Sequence, residues 1–448
     1  MEKLACFKAY DLRGKVPSEL NPDLAYKIGK SLAQYANAKS AVIGHDIRTS
    51  SEEISEALSN GLRDAGVNVT DIGLCGTEMI YFATSYLGTD CGVMITASHN
   101  PPEYNGLKFV GKGSIPISYD SGLQIMEQKI LKNDLPANTE VRGSYTLIDI
   151  MSEFLTNLKR FYDPSKMKPL KVVVNAGNGC VGPALSLLEK ELPIEMVKVF
   201  FEPDSTFPNG VPNPMIEERR KPTIDAVINS KADLGVAWDG DYDRCFFFDE
   251  MGNFIEGYYV VGLLAKSILK ANPGEKIIHD PRLTWNTVEI VNGNGGEAVL
   301  SKSGHAFIKE KMREVNAMYG GEMSAHHYFR ENAYSDSGLI PFLLVIQLMS
   351  EENKKFSELV GEMIKQFPCS GEINSTIGDP AAKIAEIEKL YTGGERSSLD
   401  GLSVDYGTWR FNLRMSNTEP IIRLNVESRG DAELMNAKTQ ELLDIIRK

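Results

Sequence analysis

The sequence predicts an α/β protein with three related α/β domains, each with a mixed sheet, and a smaller α+β domain at the C-terminal end. Three observations support this prediction. The length of 448 residues suggests about three domains. Strand–loop–helix units begin near positions 42, 171 and 276. From about Cys369 onward, short strands alternate with two amphipathic helices, which is a different pattern.

The first unit shows the order expected of a βαβ segment. A helix is predicted to begin at Pro22, and a short apolar strand covers Ala41 to Gly44. Ser50 and Glu53 have the spacing of a capping box, which predicts the start of a second helix. A second strand follows at Val67 to Ile72. This order predicts that these two strands pair in parallel within the sheet.

The same order recurs twice. A strand at Leu170 to Val174 precedes a Gly-rich turn and an apolar helix around Ala184 to Leu188. A strand at Glu275 to Ile278 precedes a loop at Asp280 to Thr284 and another helix. We interpret this recurrence as an internal repeat. The predicted domains are residues 1–140, 141–252, 253–368 and 369–448.

Composition excludes several functional classes. The net charge is −13 and the pI is about 5.2, so the chain has no bulk attraction to nucleic acid or to anionic membranes. The longest apolar run, Leu339 to Met349, is too short to span a bilayer. Six scattered cysteines without a CxxC pair are typical of reduced thiols. We therefore expect a cytoplasmic protein that binds neither nucleic acid nor membranes.

The segment TASHNPPEYNGLK, Thr96 to Lys108, follows a predicted strand and contains two prolines and a glycine. Ser98 lies just past the strand end, where α/β proteins usually place ligands. A serine hydroxyl there can accept or donate a phosphoryl group, and His99 can bind phosphate oxygens. Taken alone, a Ser-His dipeptide such as Ser98-His99 is more often part of an ordinary turn rich in Ser, Asn and Pro.

The segment WDGDYDRC, Trp238 to Cys245, contains three alternating aspartates followed by Arg244. In an extended loop, alternate side chains face one way. Three carboxylates on one side repel each other unless a hard cation joins them, which favours Mg²⁺ or Ca²⁺. An EF-hand is disfavoured, because Arg244 stands where that loop needs glycine and the flanks resemble strands. A solvated Asp turn remains the alternative.

Two later segments carry polar groups suited to a sugar phosphate. In GGEMSAHHYF, the side chains of Glu322, Ser324 and His326 alternate, so they can point to one side. An acid and a hydroxyl suit paired sugar hydroxyls, although a surface loop fits equally well. In RMSNTEP, which begins at Arg414, a guanidinium, two hydroxyls and an amide suit a phosphate dianion.

A Gly-rich turn offers a competing reading. Gly177, Gly179 and Gly182 match G-x-G-x-x-G after a strand, and Glu202 follows about 20 residues later. That spacing is compatible with a dinucleotide site and hence with an oxidoreductase. The alternative is that the glycines only shape a strand–helix turn.

The four segments occur in one order, TASHNP, DGDYDR, GEMSAHH and RMSNTEP, after FKAYDLRG at the start. In this combination the chain resembles the α-D-phosphohexomutase superfamily over essentially its whole length. HDPRLTWNT and SKSGHAFIKEKM are most similar to bacterial phosphomannomutases of the GDP-mannose route. The resemblance implies four domains around a central cleft, and mutase activity on mannose phosphates, with glucose or glucosamine phosphates as alternatives within the family.

The resemblance also implies roles for individual residues. A phosphoserine at Ser98 would exchange its phosphoryl group with a hexose phosphate. Mg²⁺ would be bound by that residue and the three aspartates, and a hexose 1,6-bisphosphate would act as activator. We expect a monomer or homodimer. The implied catalytic residues are Tyr10, Arg13, Ser98, His99, Lys108 and Arg244. The implied metal ligands are Ser98, Asp239, Asp241 and Asp243. The implied substrate-binding residues are Arg282, Lys302, His305, Glu322, Ser324, His326, Arg414, Ser416, Asn417 and Thr418.

Overall fold

The computed structural model describes residues 3–415 and 420–448. The chain forms two compact units. The first contains the chain up to Phe254 and His326–Asn353, and the second contains Ile255–Ala325 and Lys354–Lys448. Among the described residues, no helix combines the length and apolar character that crossing a bilayer requires.

The first unit begins with a seven-stranded mixed sheet. Its strands follow the order β1-β5-β4-β2-β3-β7, with β6 paired to β5. Strands β4, β2, β3 and β7 are parallel, whereas β5 runs antiparallel to β4. The strands are β1 Leu12–Lys15, β2 Ser40–His45, β3 Asn68–Leu74, β4 Cys91–Ile95, β5 Tyr104–Gly111, β6 Ile115–Pro116 and β7 Tyr145–Leu147. The helices are α1 Pro22–Tyr35, α2 Ser51–Asp64, α3 Thr77–Tyr86 and α4 Gln124–Leu131.

The starts of the first two helices show how local signals can be overruled. Asn21 caps α1 as the sequence suggests, because its side chain accepts a hydrogen bond from the Leu24 N–H. The predicted capping box at the start of α2 is wrong. Ser50 makes no cap bond there, and its hydroxyl instead accepts from Asn105 Nδ2 at 2.9 Å. A partner distant in sequence therefore replaces the expected local one.

The second α/β segment also belongs to the first unit. Strands β9, β8 and β10 are parallel, and β11 returns antiparallel beside β10. The strands are β8 Leu170–Asn175, β9 Ile194–Val199, β10 Leu234–Trp238, β11 Cys245–Phe248 and the short edge strand β12 Phe254–Ile255. The helices are α5 Met151–Leu158, α6 Gly182–Leu188 and α7 Lys221–Ser230.

The second unit opens with a third α/β segment, in which β13 pairs in parallel with β14 on one side and β15 on the other. Its elements are α8 Gly257–Ala271, β13 Lys276–His279, α9 Trp285–Gly293, β14 Glu297–Leu300, α10 His305–Val315 and β15 Tyr319–Gly321. The chain then returns to the first unit for a hairpin and a buried helix. These elements are β16 His327–Phe329, β17 Ser335–Asp336 and α11 Leu339–Glu352.

The C-terminal segment completes the second unit with an antiparallel sheet in the order β18-β22-β21-β20-β19. As predicted, the part of it from Cys369 onward contains short strands and two amphipathic helices. Its elements are α12 Phe356–Gln366, β18 Ile373–Thr376, α13 Pro380–Leu390, β19 Glu395–Ser397, β20 Leu402–Asp405, β21 Trp409–Met415, β22 Ile421–Ser428 and α14 Ala432–Ile446.

The strand registers reveal the internal repeat. In each α/β segment the first strand lies between the second and third parallel strands, with β2, β8 and β13 in the central position. His45 pairs with Ile95 and His279 pairs with Gly321. Ser98 and Ser324 each follow three residues after those partners, so the repeats place them at equivalent positions. The division into four domains with the predicted boundaries stays a prediction.

A buried carboxyl connects α3 to the start of α11. Glu78 is 1% exposed and accepts hydrogen bonds from the Ser337 hydroxyl and, at 3.3 Å, from the Leu339 N–H. Burial raises the pKa of Glu78 to about 8, although these two hydrogen bonds oppose the shift. The carboxyl is therefore mostly protonated in the folded protein at neutral pH.

This junction predicts a pH-dependent stability. The folded-state pKa of about 8 lies above the ordinary value of 4.5. Folding therefore favours the protonated form, and stability falls as pH rises through that window, by at most about 1.4 kcal/mol per pH unit. Glu78→Gln mimics the protonated carboxyl, so its melting temperature should fall less between pH 5 and 8 than that of the wild type. Glu52→Gln, at an exposed position on α2, controls for net charge. Parallel curves for Glu78→Gln and wild type would contradict the prediction.

Candidate active site

Ser98 lies in the loop that follows β4, and its side chain is almost fully buried. Its backbone φ is +51°, a left-handed conformation that a non-glycine residue adopts only when its surroundings hold it. Its N–H donates to Thr96 Oγ1 at 2.8 Å. Its hydroxyl donates to Asp239 Oδ2 at 2.9 Å and lies 3.1 Å from His99 Nδ1. The hydroxyl is thus directed at the first aspartate of the Asp-rich loop.

The three aspartates lie on the connection between β10 and β11, and all are buried. The connection turns instead of staying extended as the sequence predicted, because the Tyr242 N–H donates to the Asp239 carbonyl and Tyr242 has a φ of +43°. The carboxylates of Asp239, Asp241 and Asp243 nevertheless converge. One oxygen from each lies within 4.8 Å of the others.

The chemistry of this cluster fits a divalent metal ion. Asp241 Oδ1 and Asp243 Oδ1 are buried and accept no hydrogen bond from any residue that the structure describes. A buried carboxylate oxygen that accepts no hydrogen bond is costly, and hard cations take such oxygens as ligands. Two such oxygens in a group of three buried carboxylates therefore fit a bound cation.

Two basic side chains partly neutralise the cluster. Lys108 Nζ lies 2.7 Å from Asp241 Oδ2 and 2.5 Å from Asp243 Oδ2. Arg244 Nη2 and Nε lie 2.7 and 2.8 Å from Asp239 Oδ2. Burial opposes the charge of Lys108, but the two aspartates outweigh it and raise the pKa of its ammonium group. Burial and the nearby Asp241 carboxylate raise the pKa of Asp243.

His99 belongs to the Ser98 loop, and Arg13 contacts the same loop. Arg244 Nη2 lies 2.5 Å from His99 Nδ1, and because a guanidinium can only donate, this nitrogen must accept. Burial, followed by the charges of Arg244 and Arg13, lowers the pKa of His99 well below its ordinary value. The ring is therefore neutral and carries its proton on Nε2. Arg13 donates to Asp11 at 2.9 Å and to Asn100 at 2.6 Å.

His326 lies in the first unit, whereas Glu322 and Ser324 belong to the second. His326 Nδ1 is 2.9 Å from Asp336 Oδ2, and both groups lie within 4.8 Å of the Asp243 carboxylate. A backbone bridge pairs Arg244 with His326. The structure therefore groups His326 with the Asp-rich loop.

The second unit holds a separate cluster around Arg282. Its Nη2 lies 2.7 Å from Asp280 Oδ2, 3.2 Å from Glu322 Oε1 and 3.2 Å from Ser324 Oγ. Glu322 and Ser324 thus do face one side, as their alternation predicts. A second set of ion pairs meets at Glu372, whose carboxylate lies 3.2 Å from Arg414 Nη2.

The remaining predicted residues are characterised by their exposure or their place in the chain. Tyr10 is half-buried, Lys302 is exposed, and His305 is the first residue of α10. Ser416, Asn417 and Thr418 lie outside the described residues.

Several site residues were missed by sequence reasoning. Thr77 donates to Asp241 Oδ2 at 2.5 Å, Asp336 pairs with His326, and Glu372 pairs with Arg414. None of these residues lies in a segment with a distinctive composition. A different signal was present in the sequence: HDIR at 45–48 and HDPR at 279–282 are near copies, and each occupies the loop after the central strand of its repeat.

The structure gives the Gly-rich turn after β8 a packing role. A Cβ atom at Gly177 would lie 2.2 Å from Pro212, and one at Gly182 would lie 2.3 Å from the Phe201 carbonyl. Gly177 also has a φ of +58°. These contacts explain why glycine is needed without any dinucleotide, so they favour the structural reading of the turn.

Comparisons with known proteins point to one family. The model described as phosphoglucomutase/phosphomannomutase, alpha/beta/alpha domain I, matches residues 5–136. The models of domains II and III of the same family match residues 152–252 and 256–367. The model of its C-terminal domain matches residues 372–444. The four models match in order along the chain and together cover most of it.

Similar proteins match over the full length. A phosphomannomutase of Salmonella montevideo is 52% identical over 454 residues, with 100% of both chains covered. A protein of Xanthomonas campestris pv. campestris, named phosphohexose mutases, is 54% identical over 446 residues, with 99% of both chains covered. A crystal structure of a phosphoglucomutase/phosphomannomutase family protein from Burkholderia thailandensis has a TM-score of 0.88 at 31% identity. It covers 100% of this chain and 98% of its own.

Because buried oxygens of Asp241 and Asp243 accept no hydrogen bond, we predict that a divalent metal ion stabilises the folded protein. A cation that binds only the folded protein should raise its free energy of unfolding by about 2.7 kcal/mol at 100 times its dissociation constant. Thermal melts with and without MgCl₂ or MnCl₂ should show a higher melting temperature with metal, and Asp243→Asn should lose most of that rise. Asp225→Asn, on the exposed side of α7, should keep the full rise. An equal rise in Asp243→Asn would contradict the metal site.

Proposed function

Because the chain belongs to the phosphoglucomutase/phosphomannomutase family, we propose that it interconverts mannose 6-phosphate and mannose 1-phosphate. The reaction runs through a phosphoserine at Ser98 and a hexose 1,6-bisphosphate intermediate. The enzyme is then an intramolecular phosphotransferase that supplies mannose 1-phosphate for GDP-mannose synthesis. Glucose phosphates are possible further substrates within the same family.

One observation carries this proposal. The Ser98 hydroxyl donates to Asp239, inside a cluster of three buried carboxylates flanked by Lys108 and Arg244. Phosphoryl transfer needs positioning and charge neutralisation more than covalent help from the protein. A serine at a hard-cation site with two adjacent cationic side chains meets both needs.

The residues of the chain divide the work around Ser98. A hydroxyl of the bound hexose phosphate attacks the phosphorus atom, a new O–P bond forms, and the bond from Ser98 Oγ to phosphorus breaks. The proton that the attacking hydroxyl loses ends on Ser98 Oγ, which restores the serine hydroxyl. Arg13 and Arg244 neutralise the charge on the transferring group, and the neutral His99 offers Nε2–H as a hydrogen-bond donor. Mg²⁺, held by Ser98 and the three aspartates, would supply further neutralisation of that charge.

Lys108 requires a closer argument. The resemblance makes it a candidate proton carrier, but its ammonium group is paired with Asp241 and Asp243, and its pKa is raised. An ammonium group in that state holds its proton and acts as a fixed positive charge. A Mg²⁺ ion held by the aspartates would compete for these carboxylates, and Lys108 would then be the candidate proton carrier.

The family resemblance also suggests groups for the rest of the substrate. Glu322 and Ser324 are the proposed partners of hexose hydroxyls, and His326 is a further proposed substrate contact. The loop from Arg414 through Ser416, Asn417 and Thr418 holds the phosphate that is not being transferred. The bisphosphate must turn over between the two half-reactions, so this loop has to accept either phosphate. Arg282, Lys302 and His305 remain proposed contacts of the substrate.

The choice of mannose rests on the names of full-length relatives, several of which are phosphomannomutases. Mannose and glucose differ only at C2, and contacts to the 3- and 4-hydroxyls would not read that difference. A phosphoglucomutase or phosphoglucosamine mutase is therefore the alternative within the family. The cytoplasmic location, the monomeric or homodimeric state and the bisphosphate activator also stay predictions.

The first test compares initial rates on mannose 1-phosphate and glucose 1-phosphate, with Mg²⁺ and a trace of hexose 1,6-bisphosphate. We expect turnover of mannose 1-phosphate that EDTA abolishes, and the ratio of the two rates identifies the preferred hexose. A lack of turnover on both sugars, in a protein that is folded and metal-loaded, would contradict the proposal.

Removal of the Ser98 hydroxyl should abolish turnover. We expect Ser98→Ala to lose at least about 1,000-fold in kcat, because no acceptor remains for the phosphoryl group. Incubation with hexose 1,6-bisphosphate should add one phosphoryl mass to the wild type and none to Ser98→Ala. Ser59→Ala, which removes a buried hydroxyl on α2, should behave like wild type in both measurements. Normal turnover by Ser98→Ala would remove the phosphoserine from the mechanism.

A further inference from the structure

Arg48 lies in the loop between β2 and α2, and only 3% of it is exposed. Asp46 fixes its position, because Asp46 Oδ1 accepts from the Arg48 N–H at 2.9 Å and Asp46 Oδ2 lies 3.2 Å from Arg48 Nε. The Asp46 N–H itself donates to the Ile95 carbonyl at the end of β4. The Arg48 loop is therefore anchored beside the strand from which the Ser98 loop begins.

The guanidinium of Arg48 binds the Ser98 loop through four carbonyl oxygens. Nη2 donates to the Ser98 carbonyl at 2.8 Å and to the Asn100 carbonyl at 2.6 Å. Nη1 donates to the Pro101 carbonyl at 2.8 Å and to the Tyr104 carbonyl at 2.9 Å. Among the described residues, both terminal nitrogens thus donate only to main-chain oxygens of this loop and of the start of β5, so Arg48 is committed to holding backbone.

This arrangement bears directly on the strained conformation of Ser98. A non-glycine residue with a positive φ persists only where neighbouring groups enforce it. Arg48 binds the carbonyl on one side of the Ser98 Cα, and the Thr96 hydroxyl accepts from the N–H on the other. With both ends fixed, the direction of the Cα–Cβ bond is set, and the hydroxyl contacts Asp239 at 2.9 Å.

The third repeat contains a related arrangement, although Arg282 binds side chains where Arg48 binds main-chain carbonyls. Asp280 Oδ1 accepts from the Arg282 N–H at 2.9 Å, as Asp46 Oδ1 does from Arg48. Arg282 Nη2 then reaches Ser324 at 3.2 Å, and Ser324 occupies the position equivalent to Ser98. In two separate sheets, an Asp-x-Arg loop after the central strand binds the functional loop after its neighbour.

We propose that Arg48 is a positioning residue that holds the Ser98 loop in the geometry required for phosphoryl transfer. The inference rests on the proposed function, in which Ser98 carries the phosphoryl group. Arg48 does not touch the substrate in this role. It acts through the backbone of the loop, and its effect depends on the shape of the guanidinium as well as on its charge.

The test uses Arg48→Lys, which keeps the positive charge. One ammonium nitrogen cannot occupy the positions of both Nη1 and Nη2, so at least one pair of carbonyl contacts is lost. We expect kcat to fall about 10- to 100-fold, as for a small misplacement of a reacting group, while KM for the hexose phosphate changes less than about twofold. Transfer of the phosphoryl group from hexose 1,6-bisphosphate to Ser98, measured by the intact mass of the protein over time, should slow by the same factor as kcat.

A second measurement is independent of activity. Hydrogen exchange of the peptide covering residues 97–105 should be faster in Arg48→Lys than in wild type. The loop loses hydrogen bonds from the guanidinium to its carbonyls, so it opens more often and exposes its amides to water. Asp46→Asn serves as a second variant if Arg48→Lys folds poorly, and it should change exchange and kcat in the same direction. Both variants are compared under conditions where their melts show a folded protein.

Arg63→Lys is the matched control. Arg63 Nε also donates to a main-chain carbonyl, that of Gly143, at 3.1 Å. Gly143 lies beside Val67, before the start of β3, whereas Ser98 follows the end of β4. Because β3 and β4 run parallel to the intervening β2, these positions lie at opposite edges of the sheet. Arg63→Lys should keep wild-type kcat and wild-type exchange in residues 97–105.

The outcomes separate the two proposals. Wild-type kcat and exchange in Arg48→Lys would overturn the positioning role. A higher KM for the hexose phosphate with unchanged kcat would also overturn it, since that pattern means that Arg48 binds the substrate directly. If the wild type itself forms no phosphoserine, the proposed function fails. Faster exchange of 97–105 in Arg48→Lys would then show that Arg48 orders the loop, but the link to phosphoryl transfer would be withdrawn.

Discussion

Three buried carboxylates on one short connection are the constraint around which the first unit is organised. Asp239, Asp241 and Asp243 repel each other in a setting from which water is largely excluded. Lys108 and Arg244 offset part of this repulsion, and both are themselves buried. Two carboxylate oxygens still accept no hydrogen bond from the described residues. A bound cation and the proposed phosphoryl group on Ser98 would offset the cost of this arrangement.

The repeat explains how such a cluster can be assembled from distant parts of the chain. In each α/β segment the functional loop follows the third parallel strand, at the edge where the carboxyl ends of parallel strands meet. The loops therefore start from fixed strand ends, and their side chains can specialise. One repeat carries Ser98, the proposed phosphoryl acceptor, the next carries the aspartates, and the third carries Glu322 and Ser324. A common scaffold fixes position, and local sequence decides the chemistry.

Sequence reasoning identified the parts of the site that depend on side-chain chemistry within one segment. Ser98 and the three aspartates were found because hydroxyls and clustered carboxylates are visible in a printed sequence. The capping box at Ser50 failed because Asn105, 55 positions away, takes its hydroxyl. Arg48 was missed for a different reason, since its four partners are carbonyl oxygens that every residue possesses. A hydrogen bond to a main-chain carbonyl does not depend on the residue type of its partner, so the partner cannot be recognised from the sequence.

The arginines of the two units can be sorted by what their donors already bind. Arg48 is committed to four carbonyls, and Arg282 lies close to the carboxylates of Asp280, Glu322 and Glu372, with its side chain 2% exposed. Neither could take a phosphate without first giving up buried partners, which is costly. The side chains of Arg13 and Arg414 are 22% and 16% exposed and have fewer fixed partners. Phosphate recognition is therefore better suited to these two, and Arg282 is better suited to holding the loop of Glu322 and Ser324.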